Sequence, residues 1–482
     1  MKYQPIFFVI GMLLLALGCL MLIPMALDWA YDDPAWEGFA EAAALTIFTG
    51  TLVFFANRPH GQMELSLRET FILTTSTWMV LAAFASLPFI FTNITTSNTD
   101  SIFEAVSALS TTGASVISGL DFASYGLLIW RAILQWTGGI GIIVMAMTVM
   151  PILHIGGMQL FRSEFSDKME KILPRVSQIT KAIFWTYLLL TILCIFALKM
   201  CGMNYMDAIC HGLTTVSTGG MSTYDNSIGA FNMVSVEWVM IVFMILGSIP
   251  LLHVVRFLRG DRQAFWQDGQ VRTFLTIALM APITVTFFRY ISGDESFLHT
   301  ARESIFNTVC ILTTSGFSSA DYSSWGAFTI VLFFMLFLVG GCTGSTTSGL
   351  KIFRAKIMYS LMRAQFFKLY RPHTIHVPTF NKQPISPEVF SSVFLFLGLY
   401  VSCFAGLSLG LALFELDFMT AVSGAAAMIT NLGPGFGDVI GPTGDYSTIP
   451  TGAKWLMMMG MIVGRLEMIT VLVLLTPSFW RV

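Results

Sequence analysis

The sequence predicts an all-α polytopic membrane protein. It is read as four repeats, each a span, a short helix, a glycine loop and a second span, after an extra N-terminal helix pair. Three observations carry that expectation. Of the 482 residues, 55% are hydrophobic and only 11% are charged, against about 25% charged in ordinary soluble domains. Ten apolar stretches are long enough to cross a bilayer, which takes about 20 residues in a helix. A polar, glycine-bearing stretch that follows a short apolar segment recurs four times.

Composition excludes several classes of function. A net charge of −2 provides no global field for nucleic acid. The seven cysteines, Cys19, Cys194, Cys201, Cys210, Cys310, Cys342 and Cys403, sit in or beside apolar stretches, with no CxxC pair and no Cys/His metal spacing. The seven histidines are scattered, and no nucleophile–base or metal constellation appears, so an enzyme is not expected. The apolar segment 5–27 is too long for the hydrophobic core of a signal peptide and lacks a small-residue cleavage site, so it reads as a retained anchor.

The long candidates run over 5–27, 38–56, 70–92, 127–150, 179–201, 233–255, 271–290, 326–340 continuing to 360, 388–414 and 452–475. Segments 101–112, 206–218, 302–315 and 418–432 are too short to cross and suit re-entrant elements. With ten spans, the basic loops Arg58 to Arg68, Arg162 to Lys181, Arg256 to Arg262 and Lys351 to Arg371 all fall on one side, together with both termini. That side is expected to be cytoplasmic, because basic loops stay inside. The 28–37 loop, with Asp28, Asp32, Asp33 and Glu37, faces outward. The division that follows is 1–60 for the N-terminal pair, then repeats at 61–160, 161–262, 263–378 and 379–482.

The four glycine stretches read FEAVSALSTTGAS (103–115), ICHGLTTVSTGGMS (209–222), FNTVCILTTSGFSS (306–319) and SGAAAMITNLGPGF (423–436). Aligned on Gly113, Gly219, Gly316 and Gly433, they stack mostly small or hydroxyl residues ahead of each glycine. These are Ser110, Thr111 and Thr112; Val216, Ser217 and Thr218; Thr313, Thr314 and Ser315; and Thr430, Asn431 and Leu432. Two spans and one re-entrant loop return the chain to its starting side, so the four repeats share one topology and can surround a central pore. Backbone at membrane depth must be bonded internally or line a watery cavity. Four glycine loops meeting on an axis can turn carbonyls inward and replace an ion's hydration shell. The C-terminal ends of the short helices add partial negative charge there, which favours a cation.

With these four loops the chain resembles the potassium-transporter superfamily that includes bacterial TrkH and KtrB and the fungal and plant Trk and HKT proteins. The resemblance covers essentially the whole length and is closest to the TrkH branch in the extra N-terminal pair. It implies a channel-like potassium uptake transporter whose selectivity filter comprises the sixteen residues just named, with Gly113, Gly219, Gly316 and Gly433 as filter glycines. Glycine rather than serine at the first position leans toward potassium over sodium. The fourth stretch, NLGPGFGD, departs most from the filter pattern and leaves looser selectivity open. The resemblance further implies potassium as the transported ion with no bound cofactor, a bacterial inner-membrane location, a homodimer, and control by a cytosolic TrkA-like nucleotide-binding subunit.

The second span of the third repeat is interrupted by GGCTGSTTSG at 340–349. Such a run at membrane depth cannot continue a stable helix. Gly344 to Gly349 with Lys351 is no phosphate loop, since the lysine is one place late and no strand precedes it. The resemblance implies a gating loop under the filter, with Gly340, Gly341, Gly344, Ser345, Thr346, Thr347 and Gly349 as its residues. Arg465 lies deep in the last span, where an unpaired charge is costly. Loop carbonyls are its expected partner, and the resemblance ties it to the gate; Glu467, two residues on, points elsewhere on the helix. Lys351, Arg354, Lys356, Arg363, Lys368 and Arg371 form an acid-free stretch read as a surface for anionic lipid or for the regulatory subunit. His211 reads as a packed histidine, Asp207 as a helix-dipole partner, and Glu104 as either that or a cation concentrator at the outer mouth. A sodium-permeable or weakly selective channel or symporter of the same fold stays open, as does uniport against symport.

Overall fold

The computed structural model describes residues 3–59, 65–148, 176–293, 296–373, 377–381 and 383–481. The boundaries placed at 60/61 and 160/161, and most of the basic loop Arg162 to Lys181, lie outside them. The described chain is helical apart from a two-residue hairpin pairing Thr379–Phe380 with Gln383–Pro384.

Helices α1 (Gln4–Ala30) and α2 (Ala35–Ala56) form the N-terminal pair. They close on one another because Gly11 and Gly50 leave no room for a side chain between the two backbones. The first repeat follows as α3 (Leu67–Ala85), α4 (Leu87–Phe91), the short α5 (Asn98–Leu109) and α6 (Tyr125–Thr148). The second contains α7 (Val176–Met200), the short α8 (Tyr205–Val216), α9 (Val234–Ser248) and α10 (Leu251–Leu258). The turn α11 (Ala264–Gln267) leads to the third repeat: α12 (Gly269–Ile291), the short α13 (Phe297–Leu312), α14 (Ala327–Val339) and α15 (Ile352–Tyr370). The fourth holds α16 (Pro387–Ala412), the short α17 (Phe418–Thr430), α18 (Thr451–Arg465), α19 (Ile469–Leu472) and α20 (Pro477–Trp480).

Three of the ten expected spans differ from simple helices. The span at 233–255 breaks between α9 and α10 with a 101° bend. Pro250 disfavours helical backbone at the preceding residue, and Ile249 is extended at ψ 147°. The span at 452–475 turns by 110° after Arg465, through Glu467 at φ 56°. The span at 326–340 is only 13 residues as a helix, because the glycine-rich run after Val339 leaves helical geometry.

The four short helices α5, α8, α13 and α17 are set by their ends. Ser97, Asn204 and Asp417 accept hydrogen bonds from the backbone N–H of Asp100, Asp207 and Thr420, capping three of the N-termini. The Thr420 hydroxyl and N–H hold the Asp417 carboxyl below the usual carboxylate range. At the other end, the second span of three repeats seats a glycine against the same backbone carbonyl of the short helix. Gly138 lies on the Leu109 carbonyl, Gly247 on that of Val216 and Gly464 on that of Ile429. Each carbonyl stands three residues before Thr112, Gly219 or Leu432 in the glycine loop that follows. The small residue permits backbone contact between helices that no larger side chain would.

Replacing Gly138 or Gly464 with valine would push the second span away from its short helix, an overpacking that costs about 1–3 kcal/mol. Both variants are expected to melt at lower temperature in detergent than Gly398→Val, whose site has nothing within 4 Å of a Cβ. Equal melting temperatures would show that these contacts do not hold the second spans to their short helices.

Candidate functional site

Each short helix ends in the same strained turn. Thr111, Thr218, Thr314 and Asn431 adopt left-handed backbone, with φ of 54°, 52°, 52° and 51°. The residue after each of these reaches back to the helix: Thr112 N–H to Ser107, Gly219 to Thr214, Ser315 to Cys310 and Leu432 to Ala427, at 2.9, 2.9, 2.9 and 3.0 Å. This is a Schellman-type cap, whose left-handed position usually belongs to glycine. A β-branched threonine there is a genuine outlier, and each such residue stores about 1–3 kcal/mol of strain. Four in register mark a site whose backbone direction is held by its surroundings.

That register corrects one alignment. Two residues beyond the left-handed position stand Gly113, Gly220, Gly316 and Gly433, with φ of 85°, 81°, 78° and 95°. In the second loop the glycine equivalent to Gly113 is therefore Gly220, and Gly219 corresponds to Thr112. Val216 is still helical and lies one place outside the loop register. The paired polar residues Ser110-Thr111, Ser217-Thr218, Thr313-Thr314 and Thr430-Asn431 carry the correct alignment in the sequence. Aligning on the first of two adjacent glycines obscured it.

The loops close on one another in order. A Cβ at Gly113 would fall on the Gly219 carbonyl oxygen, one at Gly220 on that of Ser315, one at Gly316 on that of Leu432, and one at Gly433 on that of Thr112. Each loop glycine thus abuts the same carbonyl of the next loop, and the fourth returns to the first. The result is a ring of four equivalent carbonyls, from Thr112, Gly219, Ser315 and Leu432. The other predicted filter residues are all buried around it, apart from the partly exposed glycines Gly113 and Gly316.

Buried polar side chains brace the ring. Glu104 has no solvent exposure and pairs with Arg131 at 2.7 Å, while accepting from the Val116 N–H. It is an internal brace rather than a cation concentrator at the mouth. Arg131 continues to the Ser222 carbonyl at 3.0 Å. Asp207 accepts from Thr223 and Asn204. His211 is buried, bonded to the Asp207 carbonyl and to Ser222 Oγ, so it packs as expected. Asn431 Nδ2 donates to Thr112 Oγ1 and to the Met461 carbonyl, both at 2.9 Å.

Residues 340–349 fold into a compact loop beneath the ring. Its neck is closed by Leu350 N–H to Leu338 and Lys351 N–H to Val339, where Gly340 (φ 68°) and Gly349 (φ 86°) come face to face. Gly344 is also left-handed at φ 81°. Gly341 lies against the Thr347 side chain, and Ser345 Oγ lies 2.7 Å from Thr347 Oγ1. The loop is tied to the ring-forming turns: Thr218 Oγ1 to Thr346 Oγ1 at 3.0 Å, and Ser348 N–H to Thr314 Oγ1 at 3.2 Å. Arg465, 2% exposed, donates to the Thr346 carbonyl at 3.0 Å and to Ser348 Oγ at 2.7 Å. It also reaches the Gly138 carbonyl at 3.4 Å. The expected pairing of loop carbonyls with this arginine is present.

The basic stretch divides in two. Lys351 and Arg354 are buried and share Glu467, at 3.1 and 2.5 Å, and Arg354 lies over the Phe396 ring. Lys356 bonds the Gly269 carbonyl and Thr273 Oγ1. Lys351 and Arg354 tie the third repeat to the fourth and Lys356 bonds within the third, so these three are not the surface predicted for docking. Their spacing along a polar stretch does not disclose that α12 meets Lys356 while α16 and the α18–α19 bend cover Lys351 and Arg354. Arg363, Lys368 and Arg371 are exposed.

The TrkH family model, described as a cation transport protein, matches residues 37–481. The chain belongs to the TrkH family of cation transport proteins. It is 40% identical to the Trk system potassium uptake protein TrkI of Halomonas elongata, covering 100% of this chain and 97% of that one. It is 32% identical to the Trk system potassium uptake protein TrkH of Escherichia coli, covering 100% of both. The crystal structure of the potassium transporter TrkH from Vibrio parahaemolyticus superposes with a TM-score of 0.92 at 33% identity, covering 100% of both chains. These relatives carry the names of transporters, and the fold of this TrkH-family chain is that of a transporter rather than an enzyme.

The register of the second loop predicts unequal consequences for its two glycines. An alanine at Gly220 meets the Ser315 carbonyl in left-handed backbone, whereas at Gly219 it meets the Gln135 side chain. Left-handed strain alone is about 1–2 kcal/mol for a non-glycine residue. Cation flux into proteoliposomes is expected to fall at least tenfold further in Gly220→Ala than in Gly219→Ala. The reverse order would restore Gly219 as the loop's equivalent of Gly113.

Proposed function

We propose that this protein is the pore-forming subunit of a Trk-type potassium uptake system in the bacterial inner membrane, with both termini cytoplasmic. The observation that carries this reading is the closed ring in which four loops each set the same backbone carbonyl against the glycine of a neighbouring loop. Carbonyl dipoles in such a ring replace the hydration shell of a monovalent cation without a fixed charge that would hold it too tightly. The short helices direct their C-terminal ends at the ring and add to its negative potential. Potassium is the transported ion, and the filter comprises Ser110 to Gly113, Ser217 to Gly220, Thr313 to Gly316 and Thr430 to Gly433. The names of the full-length relatives support potassium uptake.

Passage is channel-like, with residues 340–349 as the gate. The loop lies under the ring and Arg465 holds it there. A cytosolic nucleotide-binding subunit of the TrkA kind acts on this loop from below, and the exposed Arg363, Lys368 and Arg371 of and beside α15 are available to it. The working form is a homodimer. A sodium-permeable variant of the same function draws on one feature: the fourth loop places Asn431 and Leu432 where the first and third have hydroxyl residues. Separate measurement of potassium, sodium and proton fluxes in proteoliposomes decides among uniport, symport and weak selectivity. Potassium flux absent from well-folded protein would overturn the reading.

Gly113→Ser would place a side chain on the Gly219 carbonyl and distort the ring. The expected outcome is a reduced ratio of potassium to sodium permeability in protein that still folds, measured by reversal potential. An unchanged ratio would remove this loop from the filter.

Shortening the 340–349 loop, or Arg465→Ala, is expected to raise basal flux and make it less dependent on a cytosolic regulator. The two changes break one interaction, so the double variant should add little to either alone. Loss of flux in a correctly inserted Arg465→Ala protein would show that the arginine holds the fourth repeat in place and does not latch the gate.

A further inference from the structure

The ring is alike in backbone but not in what touches it. Among the described residues, no hydrogen bond falls on the carbonyls of Thr112, Ser315 or Leu432. The Gly219 carbonyl does accept one, from Gln135 Nε2 at 2.6 Å. The same amide accepts from the Met221 N–H through Oε1 at 3.1 Å. Gln135 therefore clamps the two residues on either side of Gly220 as a neighbouring strand would, and it has no solvent exposure. It belongs to α6 of the first repeat, while the loop it holds belongs to the second. One turn earlier on the same helix, Arg131 bonds the Ser222 carbonyl, so α6 fixes the loop at three backbone groups.

Among the described residues, no other carbonyl of the ring is held in this way. Gln135 stands three residues before Gly138, the glycine seated on the Leu109 carbonyl. The positions three before Gly247 and Gly464 are Met244 and Met461. The methionine side chain has no N–H to offer a carbonyl. The clamp is thus a local departure from fourfold likeness, placed on a carbonyl that would otherwise face an ion.

We infer that Gln135 is a specificity-determining positioning residue, whose amide holds and partly occupies the Gly219 carbonyl so that the ring keeps the wider spacing a potassium ion needs. This rests on the transport reading above. A carbonyl that already accepts a hydrogen bond has less acceptor capacity for an ion, and a carbonyl fixed on both sides of its glycine cannot move inward. Discrimination by carbonyl ligands depends on their field strength and freedom to contract. A free, mobile fourth carbonyl contracts more readily onto the smaller sodium ion. Buried amide groups with both ends satisfied rigidify their surroundings, which matches a role in holding dimensions rather than in binding the ion itself.

The test replaces Gln135 with methionine, the residue that the second and fourth repeats carry at the matching place. Gln135→Asn, which withdraws the same amide by one methylene, serves as a second variant should the first fold poorly. Potassium and sodium permeabilities are measured in proteoliposomes, with melting temperature checked in parallel. In either folded variant the potassium-to-sodium ratio is expected to fall about two- to tenfold, the factor one net hydrogen bond carries. A merely structural role would lower yield or melting temperature and leave the ratio alone. A parental ratio in a folded variant would overturn this inference and leave the transport reading intact. Absence of potassium flux in the parent protein would overturn both.

Discussion

Everything in this molecule depends on the seating of each loop glycine against a backbone carbonyl of the next loop. That contact leaves no space for a Cβ at Gly113, Gly220, Gly316 or Gly433. It also fixes where each short helix must end, because the left-handed residue two places earlier turns the chain out of the helix and into the ring. The strain of three threonines and an asparagine in that conformation is bearable only because the surroundings over-determine it. The short helices in turn fix the second spans, which approach through Gly138, Gly247 and Gly464 until backbone meets backbone. The order of causes runs outward from the ring: carbonyl spacing, loop backbone, helix end, span packing.

A fourfold backbone built from one chain need not carry fourfold side chains, and this one uses that freedom. The buried charges tie different parts of the molecule together at places that do not repeat: Glu104 with Arg131 beside the first and second loops, Asp100 with Lys454 at 2.6 Å between the first and fourth repeats, and Glu467 with Lys351 and Arg354 beside the 340–349 loop. A charge taken out of water is tolerated when paired and hydrogen-bonded, and removing one partner leaves the other stranded. Such pairs therefore fix which repeat stands beside which more firmly than they add to stability.

The 340–349 loop answers a problem that its own sequence creates. Ten residues rich in glycine, serine and threonine at membrane depth have backbone groups with no helical partner. They find partners in the Gly247 and Ser248 carbonyls and the Leu251 N–H of the second repeat, the Gln270 side chain, the Thr314 hydroxyl, and the Arg465 guanidinium in the fourth repeat. Because Arg465 also reaches the Gly138 carbonyl of the first repeat, the loop is linked to that repeat as well, through the arginine. Movement of any of the four repeats bears on it.

Much of this was legible in the residues. Low charge and ten apolar stretches fixed the membrane class, since the bilayer rewards apolar length locally. The four recurring loops announced the repeats, and the lone deep arginine pointed to the broken helix that needed donors. Other features were decided only by tertiary structure. Gly220 displaced Gly219 because neighbouring loops, not the local string, set the register. Ile249-Pro250 and Glu467 became sharp bends where hydropathy runs on without interruption. Lys351 and Arg354, polar by sequence and placed beside a basic surface stretch, went inside because Glu467, more than a hundred residues later, waits there for them. Hydrophobic period and residue type act along the chain, whereas charge pairing and backbone contact act across it, and only the folded chain brings the partners together.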